Sequence, residues 1–376
     1  GITIVENVEP QWGPGSEWRV GDLLTSIGEV HGDPSHELYR ATTATRQEDG
    51  TVAVGLSSSG EIRFFRQDGT YIRTVGSTGG GPGEFRGADA LRALRRVAGD
   101  TLVAWDIYGQ NVSIFDPAGE FVRSFQLEGS SQQHFFAGVF LDRSLLMYVL
   151  HPVSTGPQAT MPEGVFRVDM SLHRFGADHR LAHSHDGIPW TDRFQAKWGP
   201  RGMILVDPPF GRITSINAGG PTTYVATGDN DEISVYDQEG APLKLIRRVG
   251  EPVPVTQEMF AADRERRLNE ERGELEEMRT EPRVIRMIEA LPYPEFLPPY
   301  GLTMLDSEMN LWVEEFRVTE DDPPDWSVFD PEGVWLGRVT LPAGLEVYEI
   351  GSDYILGRSL DEMDVERIEV FQLLKS

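Results

Sequence analysis

Cysteine is absent from the 376-residue sequence. Its absence excludes a disulfide, a thiolate nucleophile, an iron–sulfur cluster, a thiolate zinc site and an attached c-type haem. Lysine is almost absent as well: Lys197, Lys244 and Lys375 are the only three, and the other basic residues are arginines interleaved with carboxylates, as at Arg264, Arg266 and Arg267 beside Glu265, Glu270 and Glu271. With 34 Lys plus Arg against 60 Asp plus Glu, the formal net charge is −26. No basic patch is segregated, so the surface repels phosphate backbones and anionic headgroups, and a nucleic-acid partner is excluded. Long apolar runs are also missing. A membrane helix needs about 20 consecutive apolar residues, and the best stretch, from Phe135 to Val149, is broken by Asp142 and Arg143. The sequence offers no transmembrane segment.

Turn residues, in contrast, are plentiful. There are 40 Gly and 25 Pro, with 39% hydrophobic and 10% aromatic residues. That is enough apolar surface for a large core, and it argues against a helical bundle and against global disorder. The first residue is Gly1 rather than Met, and no basic-then-apolar leader follows. The expectation is a periplasmic or extracellular protein from which a targeting segment has been removed, although a cysteine-free chain is equally allowed in the cytoplasm.

One phrase recurs along the chain: an apolar strand, a polar gap, an alternating strand ending in an aromatic, an Asp/Gly turn and a further strand. It reads Leu102-Val-Ala-Trp105 through Val112-Ser-Ile-Phe115-Asp116-Pro-Ala-Gly119 to Phe121, and again Tyr224-Val-Ala226 through Ile233-Ser-Val-Tyr236-Asp237-Gln-Glu-Gly240 to Leu243. Further copies run from Val52 through Phe65 and Gly69 to Val75, and from Leu311 through Phe329 and Gly333 to Val339; degenerate ones lie at 145–169 and 354–371. Period-2 strands joined by such turns are antiparallel meanders. Six repeated units of about 40–50 residues predict an all-β, six-bladed β-propeller of four-stranded blades occupying residues 1–376 as a single domain. The last unit stops one strand short, and residues 19–28 resemble the outer strands elsewhere. The N-terminal strand is therefore expected to close the last blade beside 368–373, removing an open edge.

A helical insertion interrupts the repeat at about 256–291. Thr256 is the N-cap, Glu258 lies in the first turn, and Phe260, Leu268, Leu275 and Met278 recur near heptad spacing, with Gly273 a weak point. A second helix opens at Pro282, and Val284, Met287, Ile288 and Leu291 form an i, i+3, i+4, i+7 stripe. That stripe either covers the propeller or meets a partner. Pro292, Pro294, Pro298 and Pro299 then return the chain to the repeat.

The run Gly79-Gly80-Gly81-Pro82-Gly83-Glu84-Phe85 ahead of a repeat resembles NHL-type six-bladed propeller proteins of bacterial exported proteomes. Leu297-Pro298-Pro299-Tyr300-Gly301, Leu311-Trp312-Val313, Trp326 to Asp330 and Leu356-Gly357-Arg358 extend the likeness over about residues 18–374. The glycine-rich phrase occurs fully once, and the third repeat matches poorly. The resemblance implies an exported six-bladed propeller used for binding.

Three constellations could carry function. His183 and His185 share one strand face with Asp186 adjacent, a donor set suited to Zn²⁺, or else a polar interblade loop around Gly187 and Pro189. Asp106, Asp229, Asp231 and Glu314 follow inner strands and either approach an axial channel as Ca²⁺ ligands, as propeller lactonases use, or cap turns. Arg283, Val284, Met287, Ile288, Leu291, Tyr293, Phe296 and Tyr300 form an anchor-rich strip on the insertion, with Arg279 and Arg286 as rim charges. Trp105, Tyr108, Trp312 and Trp326 read as blade packing or as interface anchors.

There is no Gly-x-Ser-x-Gly elbow, no His-Glu-x-x-His and no phosphate loop; Gly76 to Gly83 reads as a linking turn. No cofactor is expected, with Ca²⁺ or Zn²⁺ as the candidate metals. The expectation is a noncatalytic binding or scaffold propeller, an exported extrinsic subunit docking on a partner protein or on the periplasmic side of a membrane-bound complex. The alternatives are a metal-dependent hydrolase or lyase of the propeller-lactonase type and a carbohydrate-binding propeller.

Overall fold

A computed structural model of the chain describes residues 1–29, 32–151, 164–197, 203–275, 281–319 and 322–375. The recurring Asp-x-x-Gly phrase folds as the turn between the third and fourth strands of a sheet. Asp116 Oδ1 accepts the Glu120 amide at 2.8 Å while the Gly119 amide donates to the Asp116 carbonyl, and Asp237 and Asp330 do the same for Ala241 and Val334. Gly119, Gly240 and Gly333 carry φ of +78°, +75° and +91°, a region that glycine enters without a Cβ clash.

Among the described residues, four separate sheets of four strands result. The first is Ala41–Arg46, Val52–Leu56, Glu61–Phe65 and Tyr71–Val75; the second is Leu91–Val97, Thr101–Asp106, Asn111–Phe115 and Phe121–Gln126. A third holds Tyr300–Leu305, Leu311–Glu315, Asp325–Phe329 and Trp335–Thr340. The fourth contains Glu346–Ile350, Tyr354–Leu360 and Glu366–Leu374, completed by Arg19–Ile27, whose Ile27 pairs with Ile368 and Arg19 with Leu374. This is the N-terminal closure expected from sequence.

The remaining ten strands form one sheet. One half runs Phe135–Val139, Leu145–Leu150, Val165–Phe175, Leu181–Lys197 and Met203–Val206; the other runs Ser215–Gly219, Thr222–Ala226, Glu232–Asp237 and Pro242–Arg248, with Thr3–Asn7 added parallel at its outer edge. As strands, the halves pair through a single parallel bridge, Gly138 with Ala218. A Cβ on Gly138 would lie 2.8 Å from that of Ala218, so the close approach requires glycine.

Both faces of the first sheet are buried, which is why its strand Val52–Leu56 is apolar throughout. Val52 and Val54 pack with Tyr354, Leu356 and Ile368 of the closing sheet, while Ala53 between them packs with Leu91, Leu94 and Leu102 of the second sheet. Sheets standing face to face around an axis make a β-propeller. Trp105 and Trp312 are wholly buried in this packing and Trp326 nearly so, whereas Tyr108 is exposed. Glu349 ties the closing sheet to the first by accepting from Thr45 Oγ1, the Arg46 amide and the Tyr354 hydroxyl.

The glycine-rich run is a linker between the first and second sheets, as expected. Glu84 accepts the Gly81 amide at 2.7 Å, and Phe85 is driven wholly into the core between the two sheets. The stretch around His183 to Pro189 departs from the loop reading: it lies inside the 17-residue strand Leu181–Lys197. Gly187, at φ +79°, falls unpaired at a register shift in the pairing with Val165–Phe175, where no negative φ is required, and Pro189, opposite Asp169, sits beside a second shift where the ladder is interrupted.

The insertion forms α1, Gln257–Leu275, and α2, Glu281–Glu289. Thr256 caps α1 by accepting the Met259 amide at 3.2 Å. Met278, Arg279 and the side chains of Leu275, Arg283 and Val284 lie outside the described residues. No described helix is long and apolar enough to cross a membrane.

Candidate binding groove at the neck of the insertion

The segments that enter and leave the insertion pair briefly with each other: the Val255 amide donates to the Glu295 carbonyl at 3.0 Å and the Leu297 amide to Val253 at 2.8 Å. This neck stands off the ends of the strands and encloses a groove of about 1020 Å³. An aromatic ladder holds it in place. Phe260 of α1 meets Tyr293 at 4.2 Å, Tyr293 meets Phe210 at 5.7 Å, and Phe210 meets Phe316 at 6.1 Å. The Tyr293 hydroxyl donates to Asp263 at 2.9 Å, and burial together with that carboxylate pushes its pKa up.

Two ion networks form the groove floor. Arg212 grips Asp192 with Nε at 2.9 Å and Nη2 at 3.0 Å and reaches Asp229 with Nη1 at 2.5 Å; Asp229 also accepts from Arg167 at 3.0 Å. Arg248 donates to Asp231 at 2.8 Å, to Glu315, to Ser327 at 3.1 Å and to the Pro299 carbonyl. Burial raises the Asp231 pKa, and Arg248 opposes that rise. Above the floor the walls are apolar, built largely from Phe210, Phe296, Trp335 and the prolines of the neck.

Only part of the expected insertion strip can reach a partner. Ile288 and Leu291 are buried, and Ile288 packs with Leu268 and Met287, so the stripe closes the hairpin on itself. An amphipathic helix satisfies its stripe on the nearest apolar face, here its own hairpin partner. Tyr300 is core: its hydroxyl accepts the Gly228 amide at 3.1 Å and donates to the Glu232 carbonyl at 3.0 Å, and burial raises its pKa. Tyr293 and Phe296 line the groove, and Phe296 is exposed.

The four carboxylates that sequence placed near an axis are not brought together. Asp106 is buried as a turn cap, accepting the amides of Arg86, Tyr108 and Gly109 at 2.8, 2.9 and 2.6 Å. Glu314 accepts from Arg317 at 2.8 Å, and Asp229 and Asp231 sit in the groove with their arginines. The histidine trio is divided. His183 and His185 lie over the Gly240 turn, where a Cβ would meet His183 Nε2 at 2.5 Å, whereas Asp186 turns to the opposite strand face and accepts from Ser171 at 2.5 Å and Ser184 at 2.9 Å. Among the described residues no group of three or more His, Asp or Glu converges as a metal site.

No protein-family model matches the chain, and no curated protein matches it in sequence. Solved structures do. A Bacteroides fragilis protein named as exported is 12% identical, with all of both chains covered and a TM-score of 0.52. A DUF4221-family member from Bacteroides vulgatus is 8% identical over 96% of this chain and 99% of its own, at a TM-score of 0.49. A Xanthomonas campestris gluconolactonase is 12% identical over 89% and 87%, at 0.42. The likeness to the Bacteroides fragilis protein is one of fold alone. At these identities nothing about activity follows from the likeness.

Sequence reasoning missed a buried pair in this propeller. His134 Nε2 lies 3.0 Å from His173 Nδ1, and both rings are almost wholly buried. The residues are 39 apart in the chain, and no local spacing signals their meeting. The groove was missed likewise, although the prolines from Pro292 to Pro299 marked one of its walls.

Proposed function

We propose that this protein is an exported, noncatalytic binding propeller of six NHL-type blades, an extrinsic subunit that docks a partner protein, free or within a membrane-bound complex, at the neck groove. The blade count rests on the ten-stranded sheet dividing at its single Gly138–Ala218 pair, each half holding a consecutive antiparallel run. It also rests on the strands 41–46, 91–97, 135–139, 215–219 and 300–305 neighbouring one another in turn, with 346–350 returning to 41–46. Export extends to this chain the name borne by the Bacteroides fragilis protein of the same fold.

The observation that carries the binding reading is the state of the charges in the groove. Its arginines and floor carboxylates neutralise one another, so none is poised as a general acid, a general base or a metal ligand, while the apolar walls stand open. Such a surface offers contact area and shape rather than chemistry. A photo-crosslinking residue at Phe296, in cells of the source organism, should capture a defined protein that the same residue at exposed Val122 does not capture. Failure to obtain any adduct specific to position 296 would refute the docking site.

A further inference from the structure

Building on that reading, we infer that the partner segment entering the neck groove is basic and carries an aromatic or aliphatic anchor. Five apolar side chains that line the groove are exposed: Val8, Val165, Val249, Val253 and Phe296. Single exposed apolar residues are ordinary, but a group of them around one concavity marks a binding surface. The groove's volume of about 1020 Å³ sits at the top of the range for small-ligand pockets, about 300–1,000 Å³, and holds several side chains of a peptide.

Charge decides the sign of the occupant. Seven carboxylates line the groove against four arginines. Every one of those arginines is committed: Arg212 to Asp192 and Asp229, Arg247 to Glu6 and Glu232, Arg248 to Asp231 and Glu315, and Arg338 to Glu315 at 3.5 Å and to the Trp335 ring. Glu251 and Glu295 are different. Both are exposed, neither has a side-chain partner among the described residues, and they stand near Val253 and beside Phe296. An incoming anion would have to break an existing ion pair, whereas a lysine or arginine meets two open carboxylates next to the apolar rim.

The neck also sets how the segment is read. Pro252, Pro254, Pro294 and Pro298 have no amide hydrogen, so the neck cannot extend a strand ladder onto a guest. Recognition falls to side chains on a proline-stiffened wall that loses little entropy on binding.

Fluorescence anisotropy on the whole chain tests this with three labelled peptides of equal length. One alternates Leu and Trp with Lys and Arg; the second carries Glu in place of Lys and Arg; the third carries Ser in place of Leu and Trp. Only the first should bind, more weakly as salt rises, and Glu251→Lys with Glu295→Lys, or Phe296→Asp alone, should each lower its affinity by about tenfold or more. A control reversal away from the groove, Glu37→Lys with Glu362→Lys, both exposed and beside the first and closing sheets, should change it by less than about threefold, which separates site from bulk charge. Circular dichroism verifies that each variant is folded. Equal loss in the control, equal binding of the acidic peptide, or no binding of the first peptide overturns the inference. A partner cross-linked at Phe296 through an acidic or uncharged segment would overturn it while leaving the docking reading intact.

Discussion

Acidification should loosen the joint between the second sheet and the long-stranded sheet beside it. His134 and His173 are 2% and 5% exposed. Gln110, in a turn of the second sheet, accepts the His134 amide at 2.8 Å and donates to its carbonyl at 3.3 Å, so the imidazole pair lies where the sheets meet. Burial, with His173 against it, pulls His134 down to about 4 from the ordinary 6.5. His173 is lowered as well, by burial first, with Asp186 opposing and His151 reinforcing. The unfolded chain therefore binds more protons than the folded one between these values. Stability is whole above about pH 6.5, falls as pH drops toward 4, and loses nothing further from this group below that. The limiting slope is about 1.4 kcal/mol per pH unit, and with relaxation of the packing around the protonated ring the total for His134 is on the order of 2 kcal/mol. For 376 residues that amounts to about 2–3 °C in Tm. Urea unfolding followed by tryptophan fluorescence at several pH values from 7.5 to 4.5 measures it, as does the same series on His134→Gln, which should flatten the dependence. An unchanged midpoint from pH 7 to 5, or an equal slope in the variant, would refute the reasoning.

Three further outcomes follow from the packing. Phe85→Ala removes a wholly buried ring between two sheets and should cost about 3–5 kcal/mol in chemical denaturation; a loss below about 1 kcal/mol would mean that the linker carries no core residue. Met287→Asp with Ile288→Asp should open the helical hairpin, raising amide exchange across α1 and α2 while the sheets stay protected; unchanged exchange would show that the stripe is not packed. Millimolar Ca²⁺ or Zn²⁺ should leave Tm within about 1 °C, because Asp229 and Asp231 are already neutralised by Arg212 and Arg248; a rise of several degrees would reveal a metal site.

What the sequence determined by itself is whatever a short window encodes. The Asp116–Gly119 turn and its repeats are local hydrogen-bond chemistry, and period-2 strands and the stripe from Met287 to Leu291 are set by dihedral preference and side-chain direction. Even the closing strand Arg19–Ile27 was legible, because it carries the pattern of the outer strands it imitates. Tertiary structure decided everything that depends on which distant surfaces meet. It turned the stripe toward Leu268 instead of a partner, and it laid Thr3–Asn7 on the edge of a sheet more than 200 residues away. It set His134 against His173, and it brought the strand that carries His183 and His185 over the Gly240 turn. That Asp186 faces away from both histidines follows from strand alternation, but that this stretch is a strand at all depends on its pairing with Val165–Phe175. Such choices are made by the burial of whole faces, and only the closed ring of sheets defines those.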